Sequence, residues 1–94
     1  MLPDDKKMTR AEIRALGVFG WSKIDDATAI RDFGSGVSAT IWTDGGYRVT
    51  VPAPSIATGA TGFANPTPRG PRGIKLAAIV ATRHAREALR VLYV

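Results

Sequence analysis

Arg69, Arg72 and Lys75 are spaced three residues apart at the start of a long periodic segment. If that segment is a helix, its first turn carries about half a positive charge and four unpaired N–H groups. Acidic side chains are the usual residents of such a turn, and cations there are locally unfavourable. The arrangement makes sense when an anion occupies the site. Pro68-Arg69-Gly70-Pro71-Arg72-Gly73 also leaves the backbone amides of Gly70, Arg72 and Gly73 able to approach a phosphate. Arg83, Arg86 and Arg90 extend the cationic patch along the same segment. The chemistry this predicts is recognition of phosphates. Two other readings of the same charges are a basic linker that keeps the chain soluble and a contact for an acidic protein surface.

The distribution of charge supports a polyanionic partner. The chain has 94 residues, 13 of them Lys or Arg and 8 Asp or Glu, for a net charge of +5. Residues 1–20 carry a net +1, residues 21–52 a net −1, and residues 53–94 a net +5. The whole excess therefore lies in the last segment, where Glu87 is the one acid. This balance excludes an acidic nucleic-acid mimic.

Trp42 and Arg48 form a second candidate. Both fall on the polar side of a hairpin pattern, beside Thr40 and Thr50. An exposed Trp next to Arg suits base stacking or an interface anchor. The bland reading is that the N-terminal segment or a later loop covers the indole.

Other chemistry finds little support. The chain has no cysteine and one histidine, His84, which excludes disulfides, thiolate catalysis and cysteine- or histidine-rich metal sites. His84 falls on the apolar side of the helical pattern and reads as a packed or half-exposed residue. Gly34-Ser35-Gly36-Val37-Ser38-Ala39 has the spacing of a dinucleotide fingerprint, but a β-rich run follows it where a helix is needed, so it reads as a turn. Asp25 and Asp26 are adjacent and would point to opposite faces of a strand. They suit capping or solvation better than acid–base work. The serines lack a nucleophile-elbow context. The expectation is a chain that is not an enzyme and needs no cofactor.

Several elements must position these side chains. Thr9-Arg10-Ala11-Glu12 has the pattern of a capping box and predicts a helix from Arg10 to Leu16, with Ile13 and Leu16 on one face and Gly17 at its end. Residues 22–33 are ambiguous. Ser22 with Asp25 could cap a helix, but a strand over Thr28–Phe33 gives the even spacing of a meander, with further strands at Val37 and Tyr47. Val37–Val51 reads as a hairpin around Asp44-Gly45-Gly46. A three-residue loop would set Thr43 opposite Tyr47 and Ile41 opposite Val49. Val37, Ala39, Ile41, Tyr47, Val49 and Val51 then share one face, because a one-residue slip would exchange the faces. Residues 52–73 hold five prolines and four glycines and read as a long loop. Ile74–Val94 has a broad apolar arc at helical spacing, rich in alanine, and predicts a long helix.

Size and composition bound the fold. One small domain over 1–94 is expected. Fourteen of the residues are alanine, and Leu, Ile, Val and Phe together number 22, so the core is thin. A partner or a second copy would help to hold such a fold. No apolar stretch has the length of a signal peptide or a membrane span, and a cytoplasmic location is the default.

The predicted order of helix, three strands and helix, from about Arg10 to Leu92, resembles the topology of double-stranded RNA-binding domains. Arg69, Arg72 and Lys75 occupy the position similar to the basic cluster that contacts phosphates in that family, and Ala77–Leu92 is similarly alanine-rich. The resemblance is one of topology, with no specific motif. The Gly-Pro-x-His signature between the first two strands is replaced by Gly34-Ser35-Gly36, the lysine pairs of the last helix by Gly73-Ile74-Lys75, and the loop after the third strand is much longer.

The fold expected is therefore α+β, a three-stranded antiparallel sheet in αβββα order packed on a long C-terminal helix. The function expected first is a non-catalytic module that binds nucleic-acid phosphates through the N-terminus of the C-terminal helix, with weak sequence preference. Arg69, Arg72, Lys75, Arg83, Arg86 and Arg90 would meet phosphates, and Trp42 with Arg48 would stack or anchor. The alternative is a small inhibitor or adaptor of phage or mobile-element type, acting on an acidic protein surface or a nucleoprotein complex. A third is a homo-oligomeric structural protein that packs its alanine-rich helix against a second copy.

Overall fold

A computed structural model describes residues 7–52, 59–63 and 71–92. Helix α1 (Arg10–Gly17) opens with the expected capping box. The Thr9 hydroxyl accepts from the Glu12 N–H at 3.1 Å, and the Glu12 carboxylate accepts from the Thr9 N–H at 2.8 Å. The buried face differs from the expected one. Glu12 and Leu16, four apart, are buried, whereas Ile13 is exposed. Gly17 stays helical, and the left-handed residue that redirects the chain is Gly20, with φ +86°.

Among the described residues five strands follow, all antiparallel and paired in chain order: β1 (Ser22–Asp25), β2 (Thr28–Gly34), β3 (Val37–Trp42), β4 (Gly46–Thr50) and β5 (Ala60–Phe63). The expected three strands are β2, β3 and β4, and the sheet gains one strand at each edge. Ser22 and Asp25 therefore do not start a helix. Asp25 instead accepts from the Ala27 N–H at 2.9 Å and closes the turn between β1 and β2. Strand β5 lies inside the stretch read as a loop. Both added strands are four residues long, and β1 is exposed throughout, so it carries no burial alternation to mark it as a strand in sequence.

The central hairpin has the expected faces in a different register. Ile41 pairs with Tyr47 and Ala39 with Val49. The shift from the expected pairing is two residues, which leaves every side chain on its predicted face. Turn chemistry explains the shift. The Asp44 carboxylate accepts from the Gly46 N–H at 2.8 Å, and the Gly45 N–H donates to the Trp42 carbonyl at 3.0 Å, with Gly45 at φ +91°. Thr43 leaves the pairing with Tyr47 and donates its N–H to the Ala27 carbonyl at 3.1 Å.

Helix α2 (Pro71–Leu92) begins three residues before the expected start. Proline suits the first helical position, where an N–H would have no partner. Its apolar stripe lies across β3 and β4, and it also contacts α1. Ala77, Ala81 and Ala85 are fully buried, as are Ala29, Val37, Ala39 and Ile41 on the facing sheet. Small side chains let helix and sheet backbones come close, at the cost of little apolar area per residue. The alanine stripe is thus used within the chain and is not left over for a second copy. His84 leaves this stripe. It is exposed and stacks on Tyr47, with ring centroids 5.5 Å apart and the Tyr47 hydroxyl 3.3 Å from Nε2. Among the described residues, no helix is long and apolar enough to cross a membrane.

Candidate functional site

The outward flank of α2 carries Lys75, Ile79, Arg83, Arg86 and Arg90 at spacings of three or four, which aligns them in one row, with Thr82 next to it. At 1.5 Å per residue the row is about 22 Å long. Opposite it stand Phe19, Trp21 and Arg31, and the space between is a groove of about 480 Å³. Among the described residues, five cations, Arg31, Lys75, Arg83, Arg86 and Arg90, line it with a single carboxylate, Glu87. Glu87 lies 3.5 Å from Arg90, both side chains being well exposed. Such a pair contributes little and leaves Arg90 available.

The second wall is built by the turn after α1 and by β2. Arg31 pairs with Ala39 and so shares the sheet face that α2 covers. The helix crosses β3 and β4, and β2 lies to one side of it, which leaves Arg31 at the groove. Its guanidinium sits over the Phe33 ring at 4.6 Å. Phe33 in turn meets Trp21 edge-on, with centroids 6.4 Å apart. Trp21 is buried, whereas Phe19 is 51% exposed, and the Lys75 ammonium lies 5.8 Å from its ring centroid. Backbone bonds hold this turn: Phe19 and Trp21 both donate to the Leu16 carbonyl, and Gly20 donates to that of Gly17.

Four of the six expected phosphate contacts, Lys75, Arg83, Arg86 and Arg90, are thus brought together. Arg72 is exposed in the first turn of α2 but does not line the groove, and Arg69 lies outside the described residues. The cationic concavity runs along the flank of the helix, with Lys75 at its near end. Arg31, Phe19 and Trp21 were not singled out by sequence reasoning. The spacing of Lys75, Ile79, Arg83, Arg86 and Arg90 marks the helix flank in sequence. For Arg31 the available signal is its alternation with Ala29 and Phe33.

Trp42 and Arg48 do not join this site. They lie on the opposite face of the sheet, where Arg48 stands between Thr40 and Thr61. Trp42 is half-buried and Arg48 exposed. The two border a smaller hollow of about 250 Å³ with Asp44, Gly46, Tyr47, Thr61 and Gly62.

The remaining candidates have structural duties. The Ala27 N–H bond first, then the Thr28 side chain, holds the Asp25 carboxyl below its usual pKa. Asp26 lies 3.4 Å from the Lys23 ammonium. Ser35 and Gly36 form the turn between β2 and β3, both with positive φ. Among the described residues, no group of three His, Cys, Asp or Glu side chains could hold a metal ion. What the groove offers chemically is a row of positive charge beside an accessible aromatic ring. The chain matches no protein-family model, no curated protein and no solved structure.

Proposed function

We propose that the chain is a non-catalytic module that binds nucleic acid along the flank of α2. The observation that carries this reading is the convergence of Arg31, Lys75, Arg83, Arg86 and Arg90 on one groove that, among the described residues, holds a single carboxylate. Gathering like charges costs self-repulsion, which a polyanion relieves. Arginine predominates, and its planar fork suits phosphate oxygens. Contacts of this kind position a backbone without reading bases, so sequence preference is weak and affinity falls steeply with salt. A cytoplasmic location and the absence of a cofactor belong to the same reading. The test is fluorescence anisotropy with random-sequence oligonucleotides, single-stranded and duplex, at about 50 mM salt. Binding that is lost in an Arg83→Ala, Arg86→Ala, Arg90→Ala variant supports the proposal. No binding to either form overturns it.

A second reading rests on a different observation. Val18, Phe19 and Ile79 are 77%, 51% and 56% exposed. Exposed apolar side chains beside cations fit a small inhibitor or adaptor that docks on an acidic protein or nucleoprotein surface. A partner that resists nuclease treatment, and that is released by Val18→Ser with Ile79→Ser, favours this reading over the first. For the homo-oligomeric reading, light scattering after size exclusion decides, and the interface would have to lie away from the buried alanine stripe.

A further inference from the structure

We infer that the groove is built for a single strand and stacks one unpaired nucleobase on Phe19. The inference rests on the nucleic-acid reading above and narrows its substrate class. Phe19 stands outside the hydrophobic core, with half its surface exposed. Keeping an aromatic ring in water gives up the transfer free energy that burial would supply. The ring is nevertheless presented by an ordered turn, held by the bonds of Phe19, Gly20 and Trp21 to the end of α1. It lies on the groove wall, with the Lys75 ammonium over one face of the ring at 5.8 Å, a contact that a base entering on that face replaces, and the exposed Ile79 also lines the space. A duplex hides the faces of its bases and would meet only the cations, leaving Phe19 and Ile79 against sugar and phosphate. A single strand offers both parts. Its phosphates can follow Lys75, Arg83 and Arg86 while one base turns inward onto the ring. A cationic groove combined with an aromatic platform is the general solution for single strands, and it tolerates any base because each has a π-face. The groove volume of about 480 Å³ is adequate for one base and its sugar.

The experiment compares oligodeoxyuridylate and oligouridylate of about 12 nucleotides with a duplex of the same length, at about 50 mM salt. Wild type, Phe19→Leu and Phe19→Trp are measured by anisotropy, with circular dichroism melts to confirm folding. Single strands are expected to bind more tightly than duplex. Phe19→Leu should weaken single-strand binding by about 5–100-fold and leave duplex binding nearly unchanged, whereas Phe19→Trp should retain it. Binding of both forms without single-strand preference, or indifference to Phe19→Leu, overturns this inference and leaves the phosphate reading standing. Failure of both forms to bind overturns the phosphate reading, and this inference with it. The deoxyuridylate and uridylate arms differ only in the 2′-hydroxyl, so their relative affinity shows whether DNA or RNA is preferred.

Discussion

Replacing Arg83 and Arg86 by alanine removes two of the five cations that line the groove of α2. Each phosphate neutralised on a single strand contributes a slope of about −0.7 to the dependence of log K on log salt. With all five cations engaged, the wild-type slope is about −3.5, and affinity falls about 100-fold between 50 and 200 mM salt. With three engaged the slope is about −2, and the same change of salt costs about 20-fold. The difference between variant and wild type should therefore narrow as salt rises. Anisotropy titrations at four or five salt concentrations measure both slopes. Arg14→Ala is the control. Arg14 is exposed on α1 and does not line the groove, so its loss should leave the slope unchanged. Equal slopes for wild type and the double variant, or a wild-type slope shallower than about −1, would refute the assignment of these cations to phosphates.

Three further predictions concern the scaffold. Ala81 is fully buried between helix and sheet, so Ala81→Leu should overpack that layer and cost about 1–3 kcal/mol in urea denaturation; an unchanged midpoint would contradict the close approach. A Cβ at Gly59 would lie 2.7 Å from the Val49 carbonyl oxygen, whereas one at Gly62 would lie 2.9 Å from the Tyr47 hydroxyl, the far end of a side chain that can swing. Gly59→Ala should therefore lower Tm more than Gly62→Ala, and the reverse order would count against the pairing of β4 with β5. Asp25 has a folded pKa below its ordinary value, so its ionised form favours the fold. That contribution is present above the unfolded pKa and disappears as pH falls through the folded one. The Tm deficit of Asp25→Ala should be visible at neutral pH and vanish in acid, and a deficit that persists there would disprove the role of the charge.

Much of the scaffold was legible in the residues themselves. The capping box at Thr9 and Glu12 involves four consecutive residues and needs no distant partner. The long C-terminal helix follows from apolar periodicity, and the two faces of the central hairpin follow from strict alternation. The concentration of positive charge on the last segment is a property of composition alone. Where sequence reasoning missed, local signals were weak or shared. Strand β1 is exposed on all four residues, so only its pairing with β2 makes it a strand. Strand β5 contains Ala60, Thr61 and Gly62, poor evidence for a strand until Tyr47 and Val49 lie beside them. The hairpin register depended on hydrogen bonds from Gly45 and Gly46, and on Thr43 finding Ala27, none of which alternation reports.

The candidate site divides along the same line. Lys75, Arg83, Arg86 and Arg90 fall on one flank by helical spacing, which the chain determines by itself. Only the tertiary structure decides that Phe19, Trp21 and Arg31 form the opposite wall, because that depends on which strands α2 crosses and which it leaves uncovered. The same crossing separates Trp42 and Arg48 from the groove. A sheet has two faces, and a helix lying on one of them puts the other out of reach, however close the residues stand in sequence.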